Sequence, residues 1–250
     1  MKAQVSSAAL WLAVGGALCA LASTPPKAEA KAGEPLVQQM VVLRDGTTTL
    51  RSVRARRTTV KIEKRTCVVP AATALASVLR TRWRSEIRLR DYGSCSRRPV
   101  DSAGLFVKVI RRDVNRGLNG WVYKVGHKLG TAGAADPAGP FGNGRLRTGQ
   151  QVVWFYCVFF EGSCQRSLDV VSAVSGRQVA VSVTGYDDPG DGVPVSAALV
   201  TARPSSGPAV VGMTDLQGRV TLTLPATGRY TLRASKDGLI PAFPERIDVD

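Results

Sequence analysis

The patterned part of the chain begins with PLVQQMVVL at 35–43 and TTVKIEK at 58–64, which alternate apolar and polar positions as half-buried strands do, with a turn at Asp45–Gly46 between them. CVVPAATALASVLR breaks that period. Pro70 suits a first helical turn, and Leu75, Val78 and Leu79 fall on one helical face, so the spacing predicts a helix over about 70–81. LFVKVI, GWVYKV, QQVVWFYCVFF and SLDVVSAV then follow as β-rich runs bounded by Gly, Asn, Asp and Pro. Between two of them GTAGAADPAGPFGNG, residues 130–144, has no apolar period and reads as a long surface loop, of the kind that is often functional. From 176 to 250 strand-sized alternating runs recur at short intervals with turn residues between them, which is the pattern of a small β-sandwich. The expected class is mainly β: an α+β domain over 31–170, a sheet with one helix, then a sandwich over 176–250.

Residues 1–30 carry a different signal. Lys2, the apolar stretch AALWLAVGGALCALAS and the Ala28-Glu29-Ala30 triplet read as a secretory signal peptide, with the mature chain starting at Lys31. The stretch is shorter than the roughly 20 apolar residues of a spanning helix, and no later run is longer, so the mature chain is expected to have no transmembrane anchor. The expected location is secreted, extracellular or in the cell envelope of a bacterium. Four cysteines remain after the signal: Cys67, Cys95, Cys157 and Cys164. An even count in an exported chain points to disulfides; three pairings are open, and proximity favours Cys67 with Cys95 and Cys157 with Cys164. Loops of those lengths contribute roughly 3.6 and 2.5 kcal/mol in the chain-entropy picture. The spacings lack the paired C-x₂₋₄-C knuckles of a zinc site, so neither a metal nor a cofactor is expected.

Charge changes the picture again. The formal net charge is +15, and residues 31–170 hold 25 basic against 10 acidic residues, whereas 171–250 hold seven against eight. This asymmetry supports two domains. In RTRWRSEIRLR the arginines at 80, 82 and 84, and again 88 and 90, are two apart, so an extended chain would place Arg80, Arg82, Arg84, Arg88 and Arg90 away from Trp83. Arg54, Arg56 and Arg57 form a second cluster. Such rows suit a polyanion such as anionic wall polymer or lipid headgroups, or another envelope protein, with no specific nucleic acid implied; their plain alternative is a solvated face that keeps the chain soluble.

Two resemblances add expectations. Gly192-Val193-Pro194-Val195 leading into SAALV, Thr214-Asp215 with Gly218-Arg219, and Gly228-Arg229-Tyr230-Thr231-Leu232 with Gly238 resemble the carboxypeptidase regulatory-like, transthyretin-like family of Ig-like sandwiches. That resemblance implies a non-catalytic Ig-like module. Gly120-Trp121, Tyr123, Gly149, Val152, Trp154 and the upstream TALASVL resemble the β domain that ends transcobalamin-type proteins, over about 60–170. It implies a lid over a small ligand, although Val125-Gly126-His127 departs from the Val-Asn-Gly of that family and the chain encodes no helical barrel to hold a corrin.

The remaining candidate chemistry is sparse. His127 is the only histidine, and a serine or cysteine nucleophile would need it as base. The mature cysteines are accounted for as disulfides, and no G-x-S-x-G elbow precedes a helix, so no catalytic residue is assigned. DDPGDG at 187–192 lacks the ligand pattern of a calcium loop and reads as a turn. Alternation places Trp121, Tyr123 and Val125 on one face, the arrangement of a packed core more than of a stacking platform. The expected function is a non-enzymatic exported binding or structural module whose basic domain contacts a polyanion or protein partner. Its alternative is a carrier of a small hydrophobic or cobalamin-like ligand, using Trp121, Tyr123, His127 and Trp154 under the Gly-rich loop.

Overall fold

Strand β1 (Leu36–Val42) turns through Asp45, whose carboxylate accepts the Thr47 N–H at 3.0 Å, into β2 (Thr48–Arg54), and the two pair antiparallel along their length. β10 (Gln151–Cys157) lies parallel to β1 and antiparallel to β8 (Gly120–Val125), whose hairpin partner is β9 (Lys128–Leu129). The sheet order is β2-β1-β10-β8-β9. Two smaller sheets flank it: the hairpin β3 (Thr58–Ile62) with β4 (Arg65–Val69), and β5 (Ile87–Asp91) with β6 (Leu105–Ile110) and β7 (Asp113–Val114). This computed structural model describes residues 33–250; the expected signal peptide and its cleavage site lie outside the described residues.

Both faces of the large sheet are covered, which explains why β10 reads as a continuous apolar run instead of alternating. On one face Val41, Trp121, Tyr123, Val152 and Trp154 bury against the helix α1 (Ala74–Val78) and the smaller sheets. On the other, Met40, Val42, Val153, Phe155 and Cys157 bury against Ile240 and Phe243 of the C-terminal sandwich. Cross-strand partners Tyr123 and Trp154 have ring centroids 5.1 Å apart, and Trp121 meets Tyr156 edge to face at 5.9 Å. Their polar atoms are all satisfied: Trp154 Nε1 donates to Ala74 O, Trp121 Nε1 to Asp113 O, Tyr156 Oη to Val114 O and Tyr123 Oη to Ala132 O.

The helix is shorter than its apolar pattern predicts. Ala72 takes a left-handed φ of 59°, which stops helix from starting at Pro70, and Thr73 caps the N-terminus by accepting from Ala76 N at 3.2 Å. At the other end Arg80 N and Thr81 N bond to Ser77 O and Val78 O, a 3₁₀ tightening that closes the element. The long 130–144 segment is not the open surface loop expected: Ala135, Gly139 and Pro140 are buried, and Ala134 O accepts from Leu75 N at 2.7 Å. Gly139 has φ +94°, and a Cβ there would lie 1.9 Å from Gly144 O, so only glycine lets the segment fold onto itself.

The sandwich packs β11 (Ser167–Ser175), β12 (Gln178–Tyr186), β13 (Gly192–Pro194) and β16 (Arg219–Thr223) against β14 (Leu199–Pro204), β15 (Val210–Met213), β17 (Gly228–Ser235) and β18 (Glu245–Val249). Val181, Val183, Val200, Leu224, Tyr230 and Leu232 fill its core. β11 pairs with β12 along its whole length, so the sandwich starts at Ser167, upstream of the expected 176. Gly218 (φ +72°) makes the turn before β16, where a Cβ would meet Val183 O at 2.7 Å. Disulfides join Cys67 to Cys95 and Cys157 to Cys164, the pairing that proximity favoured, and they suit an oxidising environment. Among the described residues no helix is long and apolar enough to cross a membrane.

Candidate functional site

Among the described residues β3 pairs only with β4 and β5 only with β6, and the two strands border a groove of about 1040 Å³. Its basic side chains are Lys61, Arg65, Arg84, Arg88, Arg90 and Lys108, against the carboxylates of Glu63 and Asp91. Asp91 is already engaged, by Arg65 at 3.4 Å and by the Gly93 and Cys95 N–H groups at 3.0 Å. Six cations against two carboxylates leave the groove strongly positive.

Each cation arrives by a different local route. Arg88 and Arg90 alternate on β5 as extended residues do, with Ile87 buried on the opposite face. Lys108 arrives through a bulge. Arg88 pairs with Val109 and Leu89 with Val107, so Lys108 is the extra residue on β6 and is re-aimed toward the groove. Arg84 opens a 3₁₀ turn (Arg84–Glu86) that feeds β5. Lys61 and Arg65 come from the two strands of the β3–β4 hairpin. Arg90 also lies 4.6 Å over the exposed Tyr92 ring, and Tyr92 in turn meets Phe106 edge to face at 5.7 Å, which fixes one end of the groove.

The arginine rows read from the sequence are thus only partly brought together. Arg84, Arg88 and Arg90 line the groove. Arg80 and Arg82 do not lie on an extended chain with Arg84, because residues 79–86 form turns; Arg80 is half-buried, and Arg82 stacks on Trp83 at 5.1 Å with Arg111 at 5.3 Å. Arg54, Arg56 and Arg57 stand apart from the groove at the end of β2, where Arg56 pairs with Glu34 at 3.0 Å and Arg54 donates to Glu34 O. Lys61, Arg65 and Lys108 escaped the sequence reading. They belong to three separate elements, and no spacing along the chain relates them.

The aromatic candidates divide in the same way. Trp121, Tyr123 and Trp154 line an apolar pocket of about 300 Å³ between β6, β8 and residues 129–134. Burial pushes the Tyr123 phenol above its ordinary value, and the Asp136 carboxylate adds to the rise. His127 is not in that pocket. It occupies the β8–β9 turn, stacked on Tyr186 at 3.7 Å with Nε2 3.7 Å from Asp169 Oδ2, and joins the first lobe to the sandwich.

Beside it, Lys124 is wholly buried, a feature the sequence reading missed. Its Nζ donates to Tyr186 O at 2.9 Å and Asp187 O at 2.8 Å and lies 3.5 Å from Asp188 Oδ1. Burial pulls this ammonium below the ordinary lysine value, while Asp188 opposes that shift. The DDPGDG segment is a turn, as expected, with Asp187 accepting from Gly190 N and Asp191 N. It is also the socket for Lys124. Among the described residues no three His, Cys, Asp or Glu side chains stand close enough to hold a metal ion. No family model, curated protein or solved structure matches this chain, so the two family resemblances rest on the residues that carry them.

Proposed function

We propose that this protein is an exported, non-enzymatic binding module of the bacterial cell envelope or exterior that holds an anionic polymer in the groove between β3 and β5. The observation that carries this reading is the convergence of six cationic side chains from five elements on one open groove that holds two carboxylates, one of them already paired. A solvated basic surface needs no such convergence. A chain of phosphate, sulfate or uronate groups would lie along the groove, with arginine guanidiniums giving two-point contacts to the anions and bound counterions released. The two disulfides support an extracytoplasmic setting.

The test is retention of the mature protein on purified anionic wall polymer and on a neutral polysaccharide, at low and physiological salt. Selective retention that falls steeply with salt is expected, and Arg84→Gln/Arg88→Gln/Arg90→Gln should abolish it. Arg54→Gln/Arg56→Gln/Arg57→Gln should leave it nearly intact, since those residues lie off the groove. Equal retention of the groove variant would refute the reading.

A second reading draws on the apolar pocket at Trp121, Tyr123 and Trp154. At about 300 Å³ it suits a small aromatic or short acyl molecule and not a corrin macrocycle. Organic extraction of the purified protein followed by mass spectrometry would detect such a ligand.

A further inference from the structure

A second basic cleft, of about 880 Å³, opens where the outer face of the β14–β17 pair turns toward the β1–β2 turn of the first lobe. Thr201 is the cross-strand partner of Arg233, and Arg203 that of Thr231, so these four side chains form one patch with the two arginines on its diagonal. Diagonal positions of this kind are about 7–8 Å apart, a span that a single tetrahedral or planar anion bridges between two long guanidinium side chains. Arg44 enters the same cleft from the facing lobe.

None of these three arginines forms an ion pair among the described residues. Asp113 Oδ2 accepts from the Arg44 backbone N–H at 2.8 Å and the Asp45 carboxylate is taken by Thr47 and Arg112, while Asp237 on the rim forms no ion pair among the described residues. The Thr201 and Thr231 hydroxyls add neutral donors between the cations. The wall beside the patch is apolar and half-exposed, made by Leu239, Pro241 and Pro244. The long β3–β5 groove is bordered by two strands, whereas this cleft is bounded by two lobes and has the volume of a small-molecule site.

We propose that the inter-lobe cleft binds a small anion with a partly apolar body. A phosphate, sulfonate or carboxylate group bridges Arg203 and Arg233 opposite Arg44, and the body rests on Leu239, Pro241 and Pro244. This site is separate from the polymer groove and does not depend on it.

The test uses the whole mature chain and the fluorophore 8-anilinonaphthalene-1-sulfonate, with uncharged N-phenyl-1-naphthylamine as its neutral counterpart. Saturable binding of the sulfonate is expected, displaced by inorganic phosphate at constant ionic strength. Arg203→Gln/Arg233→Gln should weaken it at least about tenfold, the loss expected for a two-point charge-assisted contact. Arg44→Gln, which leaves the sandwich untouched, should weaken it as well and carries the test if the double variant folds poorly. Arg88→Gln/Arg90→Gln should bind the sulfonate as the wild type does. Unchanged affinity in the cleft variants, equal affinity for the neutral probe, or failure of phosphate to compete would overturn the proposal.

Discussion

Tyr123 shows how one residue can be read two ways from sequence and one way from structure. Its place on an alternating strand made it both a core residue and a candidate ligand contact; its ring packs on Trp154 while its hydroxyl anchors Ala132 O at 2.8 Å. Tyr123→Phe should cost about 1 kcal/mol at neutral pH through that lost bond. It should also change the alkaline limb. In the unfolded chain the phenol ionises near pH 10, whereas in the fold it stays protonated to higher pH, so the unfolded state binds fewer protons above about pH 10 and stability falls there. The neighbouring Lys124 works in the opposite sense: its lowered value in the fold means that stability rises as pH approaches 10.5. Comparing wild type with Tyr123→Phe removes that shared contribution. Urea unfolding at about pH 8 and about pH 11 should show a smaller alkaline loss in the variant, and equal losses would mean that the phenol ionises freely in the fold.

Elements differ in how far local pattern determines them. The β8–β9 hairpin, β10 and the sandwich strands follow their apolar periods closely, because alternation or a continuous apolar run directly encodes which faces are covered. Helix α1 and the 79–86 turns do not follow theirs. A left-handed Ala72 and a capping Thr73 restrict the helix to Ala74–Val78, and Arg80, Arg82 and Arg84 are placed by turns, whereas Arg88 and Arg90 do lie on a strand. The Cys67–Cys95 bond acts at this scale, tying β4 to the segment just after β5 that carries one end of the groove. Replacing both cysteines with alanine should cost about 3–4 kcal/mol by the chain-entropy argument. It should also raise hydrogen exchange at residues 87–93 more than the Cys157→Ala/Cys164→Ala pair does. The reverse order of effects would show that the groove wall is held by packing alone.

For the whole molecule the decisive feature is that the large sheet lends its second face to the sandwich. Met40, Val42, Val153 and Phe155 meet Ile240 and Phe243 across that junction, and Lys124 pins it through the carbonyls of Tyr186 and Asp187. Unfolding of the two lobes should therefore be one cooperative transition. Lys124→Ala, which leaves those carbonyls and Asp188 without their cation, should lower stability by about 3 kcal/mol, or roughly 6–12 °C in midpoint for a chain of this size. Calorimetry checks both statements: two resolved transitions in the wild type, or an unshifted midpoint in the variant, would refute the coupled picture. Periodicity, turn chemistry and charge are properties of neighbours along a chain, so the mainly β class, the turn at 187–192 and the excess of cations in the first lobe were legible in the amino-acid sequence, where proximity favoured one cysteine pairing among three. Which cations share a groove, that a lysine is buried at the lobe junction, and that His127 sits at that junction and away from the apolar pocket of Trp121, Tyr123 and Trp154 came from the tertiary structure alone. Those outcomes depend on strand order, a bulge at Lys108 and contacts between residues far apart in sequence, and no local pattern encodes them.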